Sequence, residues 1–149
     1  MIGEVLYHLR SALDFAVFVG AFLDTGEEKS DTQFPIVMVE SKWDTQAKRR
    51  IKHLSPERQE VIRLLQPFSG QKWTGRLQQL SNPDKHRRLN VVALEAEHTF
   101  TIKRTDEGFE TDFTPKVVLT FDDGNDVLGS LEELLDKVRW AVGKVLDRF

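Results

Sequence analysis

Between Glu4 and Leu23 the apolar positions fall into two stripes at helical spacing. Leu6, Leu9, Leu13, Ala16 and Val19 make one, and Phe15, Phe18 and Phe22 make the other. The pattern predicts a helix over 4–23 that is apolar on almost every side from Ala12 onward, and therefore central. Its polar exceptions, Arg10 and Asp14, are four apart and share a face. A polar loop, DTGEEKSDTQ (24–33), follows. FPIVMVE (34–40) then reads as a short strand beginning at its proline.

Asp44 is placed to cap a helix running to about Leu54, with Trp43, Ala47, Ile51 and Leu54 inward. Ser55-Pro56-Glu57 is a helix start: a serine cap, proline in the first turn and an acid beside it. That helix carries Val61, Ile62 and Leu65 and stops before Pro67. A short helix is expected over about 73–81, with Trp73, Leu77 and Leu80 on its apolar side. Beyond Pro83 two patterns overlap. Leu89, Val92 and Ala93 suit a helix, whereas the alternation from Val92 to Ile102 suits a strand; helix to about Ala93 and strand from about Glu95 is the reading adopted. TDEG (105–108) is a turn. Phe109, Thr111 and Phe113 alternate with acids as a half-buried strand does, with Pro115 as an interruption before KVVLTF. Ser130 and Glu133 form a capping box for a last amphipathic helix through Leu134, Val138, Val142 and Val145. The expected class is α+β: helices over the first two thirds around the long N-terminal one, an antiparallel β hairpin or small sheet, and a closing C-terminal amphipathic helix.

Composition changes this picture in three places. A chain of 149 residues with 40% hydrophobic and 30% charged residues suits a single domain, 1–149, with one core. The absence of cysteine removes disulfide and thiolate chemistry. No signal peptide is read at the N-terminus, and the apolar run 12–23 falls short of the ~20 residues that span a bilayer, so no membrane partner and a cytoplasmic location are expected. The net charge of −3 conceals a split. Residues 42–88 hold 12 Lys/Arg against 4 Asp/Glu, and the rest of the chain is correspondingly acidic. A basic middle of this kind takes nucleic acid as partner, or docks on the protein's own acidic ends or on those of a second subunit in a homodimer.

Two polar islands carry the candidate chemistry. An Arg10/Asp14 ion pair in an apolar helix is expensive to desolvate. It anchors a polar site in the middle of the fold, binds backbone carbonyls of another segment, or bridges at the helix's one wet edge. The second island is LSNPDKHRRLN (80–90). Asn82 and Asp84 flank a proline and favour a turn into a helix that Asp84 caps. In its first turn, His86 titrates near neutrality and can serve as acid or base, while Lys85 or Arg87 can hold a phosphate; the alternative is a solvated, capped helix start. The four histidines are scattered without metal-ligand spacing, so no metal and no cofactor are expected. DDGND (122–126) lacks the glycine a calcium loop needs at its sixth place and reads as a turn.

LRSALDF (9–15), TQFPI (32–36), LQPF (65–68) and LQQLSNPDKHR (77–87) together resemble a family of uncharacterised bacterial proteins with a leading LRSALDH-type helix and a later NxDKHR-type segment. The resemblance spans most of the chain and implies no activity. It does imply that Arg10, Asp14, Asn82, Asp84, Lys85, His86 and Arg87 form one site, with the helix 4–23 facing the segment 82–88. The chain also distantly resembles HEPN domains, helical modules in which an Rx4–6H motif cleaves RNA. Arg10 falls on the arginine of that motif, but its histidine falls on Phe15. Beside a small-molecule enzyme built on an Asp/His pair, two readings stand. One is a non-enzymatic binding or interaction protein with a structural polar network. The other is a HEPN-like RNA-binding protein or ribonuclease, active or degenerate, in which Arg10 and His86 are the catalytic candidates.

Overall fold

The computed structural model describes residues 2–82, 91–105, 108–121 and 125–147. Helix α1 runs Ile2–Thr25. It ends where Gly26 adopts a positive φ of 73° and donates its N–H to the Phe22 carbonyl (2.8 Å), the left-handed stop that only glycine takes at no steric cost. A 3-10 turn at Glu40–Lys42 leads into α2 (Trp43–Gln46) and α3 (Lys48–Ile51). Helices α4 (Pro56–Leu64) and α5 (Lys72–Ser81) follow, separated by a 3-10 turn at Pro67–Ser69. Strands β1 (Val91–Thr105) and β2 (Gly108–Phe121) come next, then α6 (Val127–Leu146).

Two compact units result, residues 1–87 with 131–149, and residues 88–130. In the first, the core takes Leu6, Leu9, Leu13 and Val17 from α1, Phe34 and Val37 from the segment after it, Ile51, Ile62 and Leu77 from α3–α5, and Leu134, Val138 and Val145 from α6. Each such side chain contributes about 1.5–3 kcal/mol over leaving it exposed. Ser55 caps α4 by accepting the Arg58 N–H (3.4 Å), with Pro56 in the first turn. Helix α1 packs against α5.

The α+β expectation is corrected here. This packed body is helical, and no strand occurs among its described residues. The class needs a sheet layered against helices. The segment read as a strand, 34–40, forms no strand: Phe34–Val37 belong to no helix or strand, the chain bends at Met38 and Val39, and no strand among the described residues pairs with it. Side chains bind its backbone in place of a neighbouring strand, as set out below. The second unit is a two-stranded antiparallel ribbon, registered from Thr105↔Gly108 to Val91↔Phe121 with an irregularity between Val91 and Ala93. β1 begins at Val91, earlier than expected, so no helix reaches Ala93. Pro115 does not interrupt β2; it pairs with His98. Every strand of a two-stranded ribbon is an edge, where a missing N–H is tolerated. The central residues of the turn read at 105–108, and residues 122–124 of the turn read at 122–126, lie outside the described residues.

Three further expectations change. Asp44 does not cap: Lys42 is the N-terminal flank of α2 and makes no side-chain cap bond, while Asp44 lies inside the first turn and pairs with Lys48 (3.7 Å). The cap of α6 is Asp126, whose Oδ2 accepts the Gly129 N–H (2.6 Å), so the helix starts at Val127 and Ser130 lies inside it. Finally, the phenylalanine stripe of α1 is not core. Phe15 is 65% exposed and Phe22 is also exposed, with Phe15 and Phe18 stacked at 6.1 Å. From Ala12 onward the helix is apolar on almost every side, yet its buried residues Leu13, Ala16, Val17, Gly20 and Ala21 lie on one face. By length and composition it is also the one helix among the described residues that could span a membrane.

Candidate functional site

The first polar island resolves into a bracket on the backbone of Phe34. The i, i+4 spacing on α1 places Arg10 and Asp14 side by side, with Arg10 Nη2 3.5 Å from Asp14 Oδ1. The same two atoms take both polar groups of Phe34. Asp14 Oδ1 accepts its N–H (2.9 Å), and Arg10 Nη2 donates to its carbonyl (2.5 Å). Of the three roles open to this pair, binding the backbone of another segment is the one its hydrogen bonds fill.

Both groups are pushed toward their neutral forms. Burial lowers the pKa of Arg10, opposed by Asp14 and reinforced by the nearby Arg50. Burial raises the Asp14 carboxyl, opposed in order by Arg10, the Phe34 N–H, the Gln33 side chain and Arg50. Desolvation outweighs the partners in each case. Arg10 Nη1 is buried without a hydrogen-bond partner.

A second clamp acts on the same segment. Gln66 is fully buried. Its Oε1 accepts the Val37 N–H (2.9 Å), and its Nε2 donates to the carbonyls of Pro35 (3.0 Å) and Ile62 (2.9 Å). The Gln33 N–H reaches the Arg50 carbonyl (3.3 Å). Proline at 35 removes one of the two N–H groups between Phe34 and Val37, leaving that of Ile36. Buried backbone polar groups must be paired, and from Phe34 to Val37 three side chains pair four of them.

A third node lies at the far end of α1. Arg58 is 4% exposed. Its Nε bonds Asp24 Oδ1 (3.0 Å), and its Nη1 donates to the carbonyls of Val145 and Asp147 at the end of α6. Asp24 Oδ2 also accepts the Ser55 N–H (2.8 Å). Gly20 permits the crossing: a Cβ there would come within 3.1 Å of Leu54 and 3.4 Å of Arg58. The guanidinium thus supplies positive charge and donors where α6 leaves its last carbonyls bare.

Of the second island, Asn82 is described: it is exposed and follows the last residue of α5. Asp84, Lys85, His86 and Arg87 lie outside the described residues. Sequence reasoning missed Gln66 and Arg58. Gln66 leaves no trace, since an amide before a proline is ordinary at a helix end. Arg58 does leave one: a cation in the first turn of a helix opposes the macrodipole, and that misfit signals a partner elsewhere. No group of three metal-ligating side chains occurs among the described residues. Compared with protein-family models, curated proteins and solved structures, the chain matches none.

Proposed function

We propose that this chain is a non-enzymatic binding or interaction protein, in which Arg10 and Asp14 are part of the scaffold and not of a reaction centre. One observation carries the reading: the facing atoms of the pair are spent on the N–H and carbonyl of Phe34. An arginine committed to a buried carbonyl is not free to stabilise a phosphorane. The positions five to seven residues on, where an acid–base histidine would stand, hold Phe15, Ala16 and Val17, and Phe15 is exposed. The test is incubation of RNA oligonucleotides with the wild type, Arg10→Gln and His86→Ala. No cleavage is expected from any of them. Arg10→Gln should unfold about 2–8 °C lower, the equivalent of roughly 1–2 kcal/mol for a lost charged hydrogen bond. Cleavage that His86→Ala abolishes at unchanged melting temperature would overturn the reading.

A second reading, an RNA-binding HEPN-like protein, draws on a separate observation. Lys42, Arg49 and Arg50 are exposed and form no ion pair among the described residues, whereas Lys48 and Lys52 are paired with Asp44 and Asp31. Binding through them would weaken with log salt at a slope of about −0.7 per phosphate neutralised on a single strand.

A further inference from the structure

The face that carries Met38, Val39 and the half-buried Trp43 is apolar and built. Met38 and Val39 are 51% and 52% exposed. Trp43 and Phe68 meet edge to face at 5.9 Å. The Met38 thioether lies over Gly75, where a Cβ would come within 3.2 Å of it and 3.3 Å of Pro67. The Arg63–Glu40 ion pair (2.5 Å) fastens the segment 38–43 to the end of α4. Lys42, in the same segment, and Lys72, three residues before Gly75, are exposed cations with no ion pair among the described residues. An apolar patch with basic residues around it fits an acidic amphipathic helix.

The chain carries such a helix. From Leu131, α6 reads LEELLD. Leu131 and Leu135 share one stripe and Glu132 and Asp136 the adjacent one, by their i, i+4 spacing. Leu135 is 44% exposed. Glu132, Glu133 and Asp136 are exposed too, and their one ion pair among the described residues joins Asp136 to Arg139 at 3.9 Å on the same helix. Both faces lie open on one chain, so neither covers the other.

We infer that this protein associates with a second copy of itself, the acidic face of α6 in one copy docking on the Met38/Val39/Trp43 patch of the other. The inference rests on the binding-protein reading above and names its partner. Charge complementarity selects the occupant: the basic excess of residues 42–88 faces the acidic excess of the remainder. Single-stranded nucleic acid is the competing occupant. The exposed Met38, Val39 and Leu64 argue against it, because aliphatic side chains give a base no stacking platform. One such contact is smaller than the ~800 Å² per partner of a stable interface, so the association is weak and salt-sensitive.

Sedimentation equilibrium on the full chain tests this with two charge-reversed proteins. One carries Lys42→Glu and Lys72→Glu, the other Glu132→Lys and Asp136→Lys; all four sites are exposed, and circular dichroism verifies the fold. The wild type should self-associate at low salt and weaken about tenfold at high salt. Each reversed protein alone should associate at least about tenfold more weakly. An equal mixture of the two should recover the wild-type affinity, because each reversed patch then meets a reversed helix. A monomeric wild type, reversed proteins that associate as the wild type does, or a mixture without recovery would overturn the inference. So would single-stranded RNA that binds the wild type and is lost in the Lys42/Lys72 protein, with no self-association. The RNA-cleavage assay is independent of these outcomes, so failure here leaves the binding-protein reading standing.

Discussion

Two stretches of this chain, the ribbon and the segment Phe34–Val37, are held in opposite ways. The ribbon β1–β2 is a backbone ladder of register partners from Thr105↔Gly108 to Val91↔Phe121. Its bonds run main chain to main chain, so no single side chain owns them. The segment Phe34–Val37 has no neighbouring strand. Arg10, Asp14 and Gln66 stand where a strand would be, supplying donors and acceptors to four backbone groups. A ladder spreads the cost of an error over many bonds. A surrogate made of three side chains concentrates it, and each of the three is a single codon from failure.

Gln66 is where that contrast should break most sharply. Gln66→Leu keeps the shape and removes both ends of the amide. The Val37 N–H and the Pro35 carbonyl are left buried without partners, at about 1–3 kcal/mol for each unsatisfied group. A loss of roughly 2–4 kcal/mol is expected in urea unfolding, together with loss of hydrogen-exchange protection at the Val37 amide. Gln66→Glu sharpens the point. Its carboxylate still accepts from Val37 but donates to neither Pro35 nor Ile62, so it should do no better than leucine. Full stability in the glutamate variant would show that the two donated bonds contribute nothing.

Much of the helical frame was legible because its signals are local. The inner stripe of α1, the Ser-Pro-Glu start of α4 and the Trp73/Leu77/Leu80 face of α5 each lie within one element. The Arg10/Asp14 pair was legible for the same reason: two ions four apart in an apolar helix need partners. What they bind was open, because Phe34 lies 20 and 24 residues away. FPIVMVE read as a strand since local pattern reports extended backbone and not who pairs it. The surrogate comes partly from Gln66, 29 and 31 residues on, and no periodicity spans that gap. The class expectation came from elsewhere, from the hairpin read after the helices; the described body is helical and contains no strand of its own.

Asp14 gives a smaller and pH-dependent break. Burial raises its pKa in the fold, so the folded state holds the proton more tightly than the unfolded one. The sign follows from linkage. Its contribution to stability is fullest below the unfolded carboxylate value, about 3.9, and is lost as pH rises through the folded value. Asp14→Asn keeps an acceptor for the Phe34 N–H but has no such titration. At neutral pH the variant should be at least as stable as the wild type, because the charge it removes costs more in desolvation than Arg10 returns. On acidification toward pH 4 the wild type should gain on the variant, since only its carboxyl takes up the proton that the fold favours. Paired urea titrations across that window measure the gap. A wild type that loses ground to the variant as pH falls would mean that the ion pair with Arg10 outweighs desolvation.

The smallest effect belongs to the ribbon. Thr99 and Thr114 are register partners, and a cross-strand pair contributes about 0.2–1 kcal/mol relative to alanine. Thr114→Ala changes a side chain and leaves both N–H groups and both carbonyls of the pair in place, so the ladder bonds survive. Stability should fall by no more than about 1 kcal/mol, and exchange should quicken at the amides beside the pair without protection being abolished at any one of them. That is the reverse of Gln66→Leu, which strips protection from a named amide. If Thr114→Ala instead cost as much as Gln66→Leu, the ribbon would depend on individual side chains as the 34–37 segment does. The distinction between a distributed ladder and a three-residue surrogate would then fail.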